Sequence, residues 1–215
     1  MYVPPHFQED RVPELHAAIR RMALGTLVST GADGLIASHV PMLIEPEPAP
    51  FGTLIGHVAR ANPHGRADGE ALAIFLGPNA YITPSWYATK RETGKVVPTW
   101  NYVAIHAYGR LRFFDDRERL LALVTRLTET HEAPRDAPWA VSDAPPEFVR
   151  GMLNAIVGFE LPIARLEGKW KMSQNRTPAD RAGVREGLAR EPSPAHDAVG
   201  AVMAAREPPG ALGGR

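Results

Sequence analysis

Along the first half of the chain, apolar and polar positions alternate in short runs separated by Gly, Pro, Asn and Asp, which predicts strands joined by tight connections. One helical stretch precedes them. Leu15, Ala18, Ile19 and Met22 recur at i, i+3, i+4 and i+7, with Asp10 placed to cap and Pro13 tolerable in the first turn. Residues 25–30 and 35–44 read as two strands joined by Gly31-Ala32-Asp33-Gly34, whose Asp-Gly is a hairpin signal. The prolines of 45–50 predict a loop, and 53–58 a strand stopped by Ala61-Asn62-Pro63-His64. Residues 71–83 read as a strand, a turn at Gly77-Pro78 and a second strand at 81–83.

The longest alternating run, 97–114, has two unlike faces. Val97, Thr99, Asn101, Val103, Ile105, Ala107, Leu111 and Phe113 form a core face. Trp100, Tyr102, His106, Tyr108, Arg110 and Arg112 form the other, too aromatic for open water and too polar for a core, which predicts that it meets a second subunit, a ligand, or both. Asp115 and Glu118 make a capping-box pattern ahead of a helix with Leu120, Leu121, Val124 and Leu127 on one side. A Pro-rich stretch over 133–146, a short helix near 148–153 and a last strand over 156–166 follow. The segment 169–176 comes directly after that strand, and Thr177-Pro178 opens another helix. Six or seven strands with helices at the ends and between the last two give an α+β class, and hairpin spacing favours a small barrel.

Bulk properties narrow the functions. Hydrophobic residues at 44% and charged residues at 22% of 215 are ordinary for a folded soluble chain, and no apolar run is long enough for a membrane span. The start of the chain has neither a basic nor an apolar leader segment, so a cytoplasmic location is expected. Without cysteine there is no disulfide, thiolate catalysis or thiolate metal site. The 24 Lys and Arg balance 24 Asp and Glu, which leaves no overall basic footprint for nucleic acid, and no pair of short helices carries a basic recognition face. Direct DNA binding is therefore not expected. The eight histidines fall in no compact ligand spacing, so no metal is expected.

Three clusters carry the candidate chemistry: residues 80–87 with Ser85, Trp86 and Tyr87; residues 97–102 with Trp100 and Asn101; and residues 168–176 with Lys169, Trp170, Ser173 and Gln174. Each sets a tryptophan among hydrogen-bonding side chains, and the last adds cations. A planar heteroaromatic ring bearing a phosphate needs that combination. Gly56-His57-Val58-Ala59-Arg60-Ala61-Asn62 offers an imidazole, a guanidinium and an amide where a strand becomes a turn, and such a junction can grip a phosphate. Ser38-His39-Val40-Pro41 places a polar pair in an apolar strand, and Pro41 argues for an edge or a bulge. There is no dinucleotide fingerprint, P-loop or nucleophile elbow, and no side chain stands out as an obligatory acid or base.

Together with Met1-Tyr2-Val3-Pro4-Pro5-His6-Phe7 and Gly77-Pro78-Asn79, these motifs resemble, in order, the PaiB-like family of FMN-binding negative transcriptional regulators. The likeness covers residues 1–190; the tail 191–215 lies outside it and is expected to be partly helical or disordered, with disorder from Pro208 on. It implies a split β-barrel of the pyridoxamine-phosphate-oxidase and flavin-reductase group with peripheral helices, assembled as a homodimer with FMN at the subunit interface. Carried over, His57, Arg60, Asn62 and Lys169 are phosphate-side groups. Ser85, Trp86, Tyr87, Trp100 and Asn101 line the ring, Ser173 and Gln174 are polar contacts at the barrel end, and Ser38 and His39 lie near the ring. A transcriptional regulator, or an FMN-dependent oxidoreductase in which the flavin supplies the electron chemistry, is the expected function. The alternative is a non-enzymatic barrel holding haem or another planar ligand, with His39, His57 or His106 as axial group.

Overall fold

The computed structural model describes residues 1–66 and 69–206. Helix α1 (Val12–Met22) follows the apolar spacing and buries Leu15, Ala18 and Ile19. Asp10 does not cap it: the N-cap is Arg11, and the Asp10 carboxylate accepts from Gln8 Nε2 at 2.7 Å instead. Strands β2 (Leu24–Gly31) and β3 (Gly34–Glu45) form the expected hairpin, with Gly31 opposite Gly34 and Gly34 at φ 112°, a conformation open to glycine. Pro41 stands where β3 changes partner, since 34–41 pair with β2 and 42–45 with β4 (Thr53–Ala59). A missing N–H is tolerated at such a switch.

Residues 71–82 do not break into two strands, and Thr83 caps the turn that follows. Residues 71–82 belong to one strand, β5 (Gly69–Ile82), whose buried positions are odd-numbered at Ala71, Ala73 and Phe75 and even-numbered at Ala80 and Ile82. Gly77-Pro78 thus absorbs one residue of phase and re-aims the strand without reversing it, as a bulge does. Strand β6 (Thr99–Phe114) starts two residues later than expected and leaves Val97 exposed, but within it the two faces hold: Asn101, Val103, Ile105, Ala107 and Leu111 are buried, while Trp100, Arg110 and Arg112 are exposed. Helix α3 (Arg117–Glu132) starts one residue later than expected. Asp116, not Asp115, caps it by accepting from the Arg119 N–H at 2.8 Å, and its buried stripe is Leu120, Leu123 and Leu127, with Leu121 outside.

Helix α4 (Pro146–Asn154) leads into β7 (Ile156–Lys171), which runs five residues beyond the expected end. The reason is a pairing with β1 (Gln8–Glu9), Gln8 opposite Lys169 and Glu9 opposite Gly168, that local pattern does not announce. Lys169, Trp170 and Lys171 are therefore strand residues, and only the segment from Met172 on is a turn. The strands are hydrogen-bonded in the order β1-β7-β4-β3-β2-β5-β6, and β6 also pairs with β7, which closes six of them into a ring. This is a split β-barrel of the α+β class. Gly109 permits the closing contact, because a Cβ there would overlap the Pro162 carbonyl.

The chain divides into two compact units, and each has its own core. The strand-rich unit, Arg11–Phe75 with Ile105–Glu167, is built around Leu27, Met42, Leu54, Phe75, Ile105 and Phe159. The helix-rich unit comprises Met1–Asp10, Leu76–Ala104 and the described residues from Gly168 on, including α2 (Ala88–Thr93), α5 (Pro178–Arg190) and α6 (Pro194–Ala205). Thr177 caps α5 by accepting from the Asp180 N–H at 3.2 Å. Helix α6, within the segment read as a tail, buries Val199 and Met203. The expected disorder from Pro208 lies outside the described residues. No described helix is long and apolar enough to cross a membrane.

Candidate functional site

Eight of the expected site residues fall in the helix-rich unit. Thr83 Oγ1 accepts the Ser85 N–H at 3.2 Å and starts a single 3-10 turn, Pro84–Trp86, that delivers Trp86 and Tyr87 inward. Gly183 and Gly187 of α5 make room for Trp86, since a Cβ at Gly183 would overlap its carbonyl and one at Gly187 its ring. His196 of α6 meets the same ring edge-on at 5.8 Å. Trp86 is 7% and Tyr87 1% exposed, and it is the Trp86 ring that packs against α5 and α6. Burial raises the pKa of the Tyr87 hydroxyl, and the Arg176 guanidinium, 4.7 Å from the ring centroid, opposes that shift. Ser85 Oγ accepts from Lys90 Nζ at 3.0 Å on the surface.

Asn101 and Ser173 form one buried knot. Asn101 Nδ2 donates to Ser173 Oγ and Oδ1 accepts from it, each at 3.1 Å, with Met203 Sδ 3.7 Å from Nδ2. The knot fixes Ser173 at φ 63°, a strained conformation for a non-glycine residue. Gln174 turns inward as well: its Oε1 accepts the Met172 N–H at 2.6 Å and its Nε2 donates to the Trp170 carbonyl at 2.5 Å. Ser173 and Gln174 thereby shape the end of β7.

Further polar groups of this unit are cationic and aromatic, some buried and some exposed. Lys169 is 7% exposed, and its Nζ donates to the Tyr2 carbonyl at 3.0 Å and lies 5.6 Å and 5.3 Å from the Tyr2 and Tyr102 ring centroids. Lys171 Nζ donates to Thr99 Oγ1 and to the Trp100 carbonyl. Neither ammonium has a carboxylate partner among the described residues. Burial, followed by the positive charges of Lys169 and Arg176, lowers the Lys171 pKa. Trp100 is 53% exposed and stands edge-on to the exposed Tyr81, with ring centroids 6.2 Å apart. Lys171, Thr99, Tyr2 and Tyr81 are additions to the sequence reading. Their signal was the cation and aromatic content of the flanking motifs, but only the β1–β7 pairing and the long β6 strand select them.

Five expected residues lie in the strand-rich unit. Asn62 Nδ2 donates to Ser38 Oγ at 3.1 Å, Asn62 Oδ1 accepts the His64 N–H at 2.9 Å, and His64 Nδ1 is 2.9 Å from Ser29 Oγ. His39 Nδ1 is 2.9 Å from Thr26 Oγ1, its neighbour across the strands. Arg60 is engaged elsewhere. Its Nη1 and Nη2 donate to the two Asp115 oxygens at 2.8 Å and 2.6 Å, Nε to the Asn154 carbonyl at 2.8 Å and Nη2 also to the Ile156 carbonyl at 2.9 Å. The hydrogen-bonded Asp115 raises the Arg60 pKa and Arg60 lowers that of Asp115. His57 stands apart from that network, and burial lowers its pKa.

A closed ring of antiparallel strands with flanking helices defines the split β-barrel class. Within it the chain belongs to the family described as the putative FMN-binding domain, whose family model matches residues 1–165. The protease synthase and sporulation protein PAI 2 of Bacillus subtilis is 34% identical over 197 residues, 90% of this chain and 92% of that one. An uncharacterised protein of Aspergillus fumigatus is 35% identical over 236 residues, 87% and 90% of the two chains. Among solved structures, a conserved hypothetical protein of Mycobacterium tuberculosis superposes with a TM-score of 0.56 at 13% identity, over 83% of this chain and 94% of that one. The FAD and heme binding protein of Mycobacterium smegmatis gives 0.52 at 16%, over 76% and 73%. Both show a shared fold.

Proposed function

We propose that the protein is an FMN-binding flavoprotein of the PaiB type, a homodimer that acts in transcriptional regulation or in flavin-dependent redox chemistry. One observation carries the choice of a phosphorylated flavin: Lys169 and Lys171 hold two partly or wholly buried ammonium groups against neutral oxygens and aromatic faces, with no carboxylate partner among the described residues. A buried cation without an anion is costly, and a bound phosphate supplies the missing charge. Lys169 is the principal phosphate group in this reading, with Lys171 beside it, and the exposed Trp100 and Tyr81 offer faces for the ring. Arg60 has the least to give, because a phosphate there must displace Asp115. The flavin supplies electron transfer; the chain supplies its binding and orientation. The name of the Bacillus subtilis relative, which refers to protease synthesis and sporulation, fits a regulatory role.

The test is a fluorescence titration of the purified protein with FMN and with riboflavin. FMN is expected to bind at least about tenfold more tightly, the ratio that one charge-assisted contact contributes. Equal affinities would refute the phosphate reading, and a Soret band in the protein as isolated would favour the haem alternative.

A further inference from the structure

An unassigned feature lies wholly in the strand-rich unit, among α3, α4 and the segment between them. A cavity of about 570 Å³ lined by Leu121, Thr125, Val141 and Val149 adjoins a second of about 220 Å³, and the two share Thr128, Val141, Ala144, Val149 and Leu153. The smaller compartment is walled by Val124, Met152, Phe148, Ile156 and Trp139, with His57 as its titratable member. Trp139, Phe148 and Met152 are about half exposed, so large apolar groups here stay in water in the free chain. His57 makes no hydrogen bond to any described residue. Its Nδ1 is shut away from solvent without a partner, and Nε2 is the accessible nitrogen. Burial keeps the ring neutral at pH 7, so it can share a hydrogen bond without bringing a charge into the compartment.

We propose that this compartment binds a small uncharged aromatic molecule, one ring bearing a hydroxyl or carbonyl oxygen that hydrogen-bonds His57. Size selects the ring: a dry apolar cavity of about 150 Å³ holds benzene, so the smaller compartment takes one ring with a substituent. Its apolar walls select against a charged ligand, because only a neutral polar group can be buried here at the cost of one hydrogen bond. The accessible, unpartnered imidazole nitrogen selects for the oxygen, since a polar group in an apolar wall gains most from the single partner it lacks. The larger compartment leaves space for a substituent to extend past Val149. This site gives His57 a role other than the phosphate contact implied by the family resemblance, and it stands whether or not a flavin binds.

The probes are p-cresol and p-xylene, which have the same shape and differ in one hydroxyl, titrated by calorimetry and by Trp139 fluorescence on the full chain. In the natural protein p-cresol is expected to bind at least as tightly as p-xylene although it is the more water-loving of the two. His57→Leu is expected to weaken p-cresol about tenfold and to leave p-xylene unchanged or tighter. Ala144→Phe, which fills the shared wall, is expected to abolish both with the circular dichroism of the natural protein retained. Should His57→Leu not fold, the ring 15N shifts of His57 in the natural protein decide: they are expected to move with p-cresol and not with p-xylene. Tighter binding of p-xylene, no binding of either probe, or binding untouched by Ala144→Phe would overturn the proposal. So would affinity that falls as protein concentration rises, because the cavity would then be a contact between copies of the chain.

Discussion

Two lysines of the helix-rich unit, Lys169 and Lys171, are held in a different way from the paired arginines of the strand-rich unit. In the strand-rich unit Arg60 pairs with Asp115, Arg119 with Glu160, Arg126 with Glu45 and Arg165 with Glu167, mostly at exposed positions. In the helix-rich unit Arg206 meets Glu9, but among the described residues Lys169 and Lys171 meet carbonyls, a hydroxyl and ring faces and no carboxylate. The chain is neutral as a whole, and that neutrality conceals a local surplus. A paired surface arginine contributes little and asks for nothing more; a buried lysine without a carboxylate is a vacancy for an anion. The position of the imbalance, and not the number of basic residues, marks the candidate phosphate site.

The harshest way to break this comparison is to disturb the frame of the helix-rich unit. Gly187→Leu drives a side chain into the Trp86 ring, and overpacking of this kind costs about 2–3 kcal/mol. Urea unfolding should show that loss, and a midpoint within error of the natural protein would mean that α5 does not rest on Trp86. Next in size is Lys169→Met, which should weaken FMN about tenfold and leave riboflavin unchanged. If both ligands weaken equally, Lys169 shapes the site without touching a phosphate.

A pH series probes the other unit. Burial lowers the pKa of His57, His64 and His106, all in the strand-rich unit, with the Leu27 backbone carbonyl, as acceptor, partly opposing the shift at His64. Well above pH 6.5 these rings are neutral in both folded and unfolded chains, and no stability is lost. As pH falls below 6.5 the unfolded chain takes up protons before the folded one, so stability declines until the folded pKa values are passed. Urea midpoints at pH 7.5 and pH 5 should differ in that direction, and His64→Gln should reduce the difference. A midpoint that does not move would show that these rings are protonated as easily in the fold as outside it. The smallest effect is expected from Arg60→Met, which should leave the ratio of FMN to riboflavin affinity unchanged. A tenfold fall in that ratio would return Arg60 to the phosphate and dissolve the contrast between paired and unpaired cations.

Much of the barrel was legible because its signals are local. The i, i+3, i+4 spacing in α1, the glycines of the β2–β3 hairpin, the alternation of β6 and the Thr177 cap of α5 each act within a few residues, and each predicts its element. The errors fall where a distant partner decides. Whether Asp115 or Asp116 caps α3 depends on Arg60, which takes Asp115 across 55 positions in sequence. Whether Gly77-Pro78 turns the chain or shifts its phase depends on which faces of β5 find a core, and whether Lys169 lies in a turn or a strand depends on β1.

The sequence by itself determined the class of the protein: a chain of short strands, neutral overall, without cysteine, carrying aromatic motifs in a recognisable order. Tertiary structure decided what those motifs do. It buried Trp86 as a support for α5, buried Tyr87 beside it, tied Asn101 to Ser173, committed Arg60 to a carboxylate and left His57 in an apolar wall with no hydrogen-bond partner among the described residues. Residue type states which bonds a side chain can make, but only the packed neighbours determine which of those bonds are already taken.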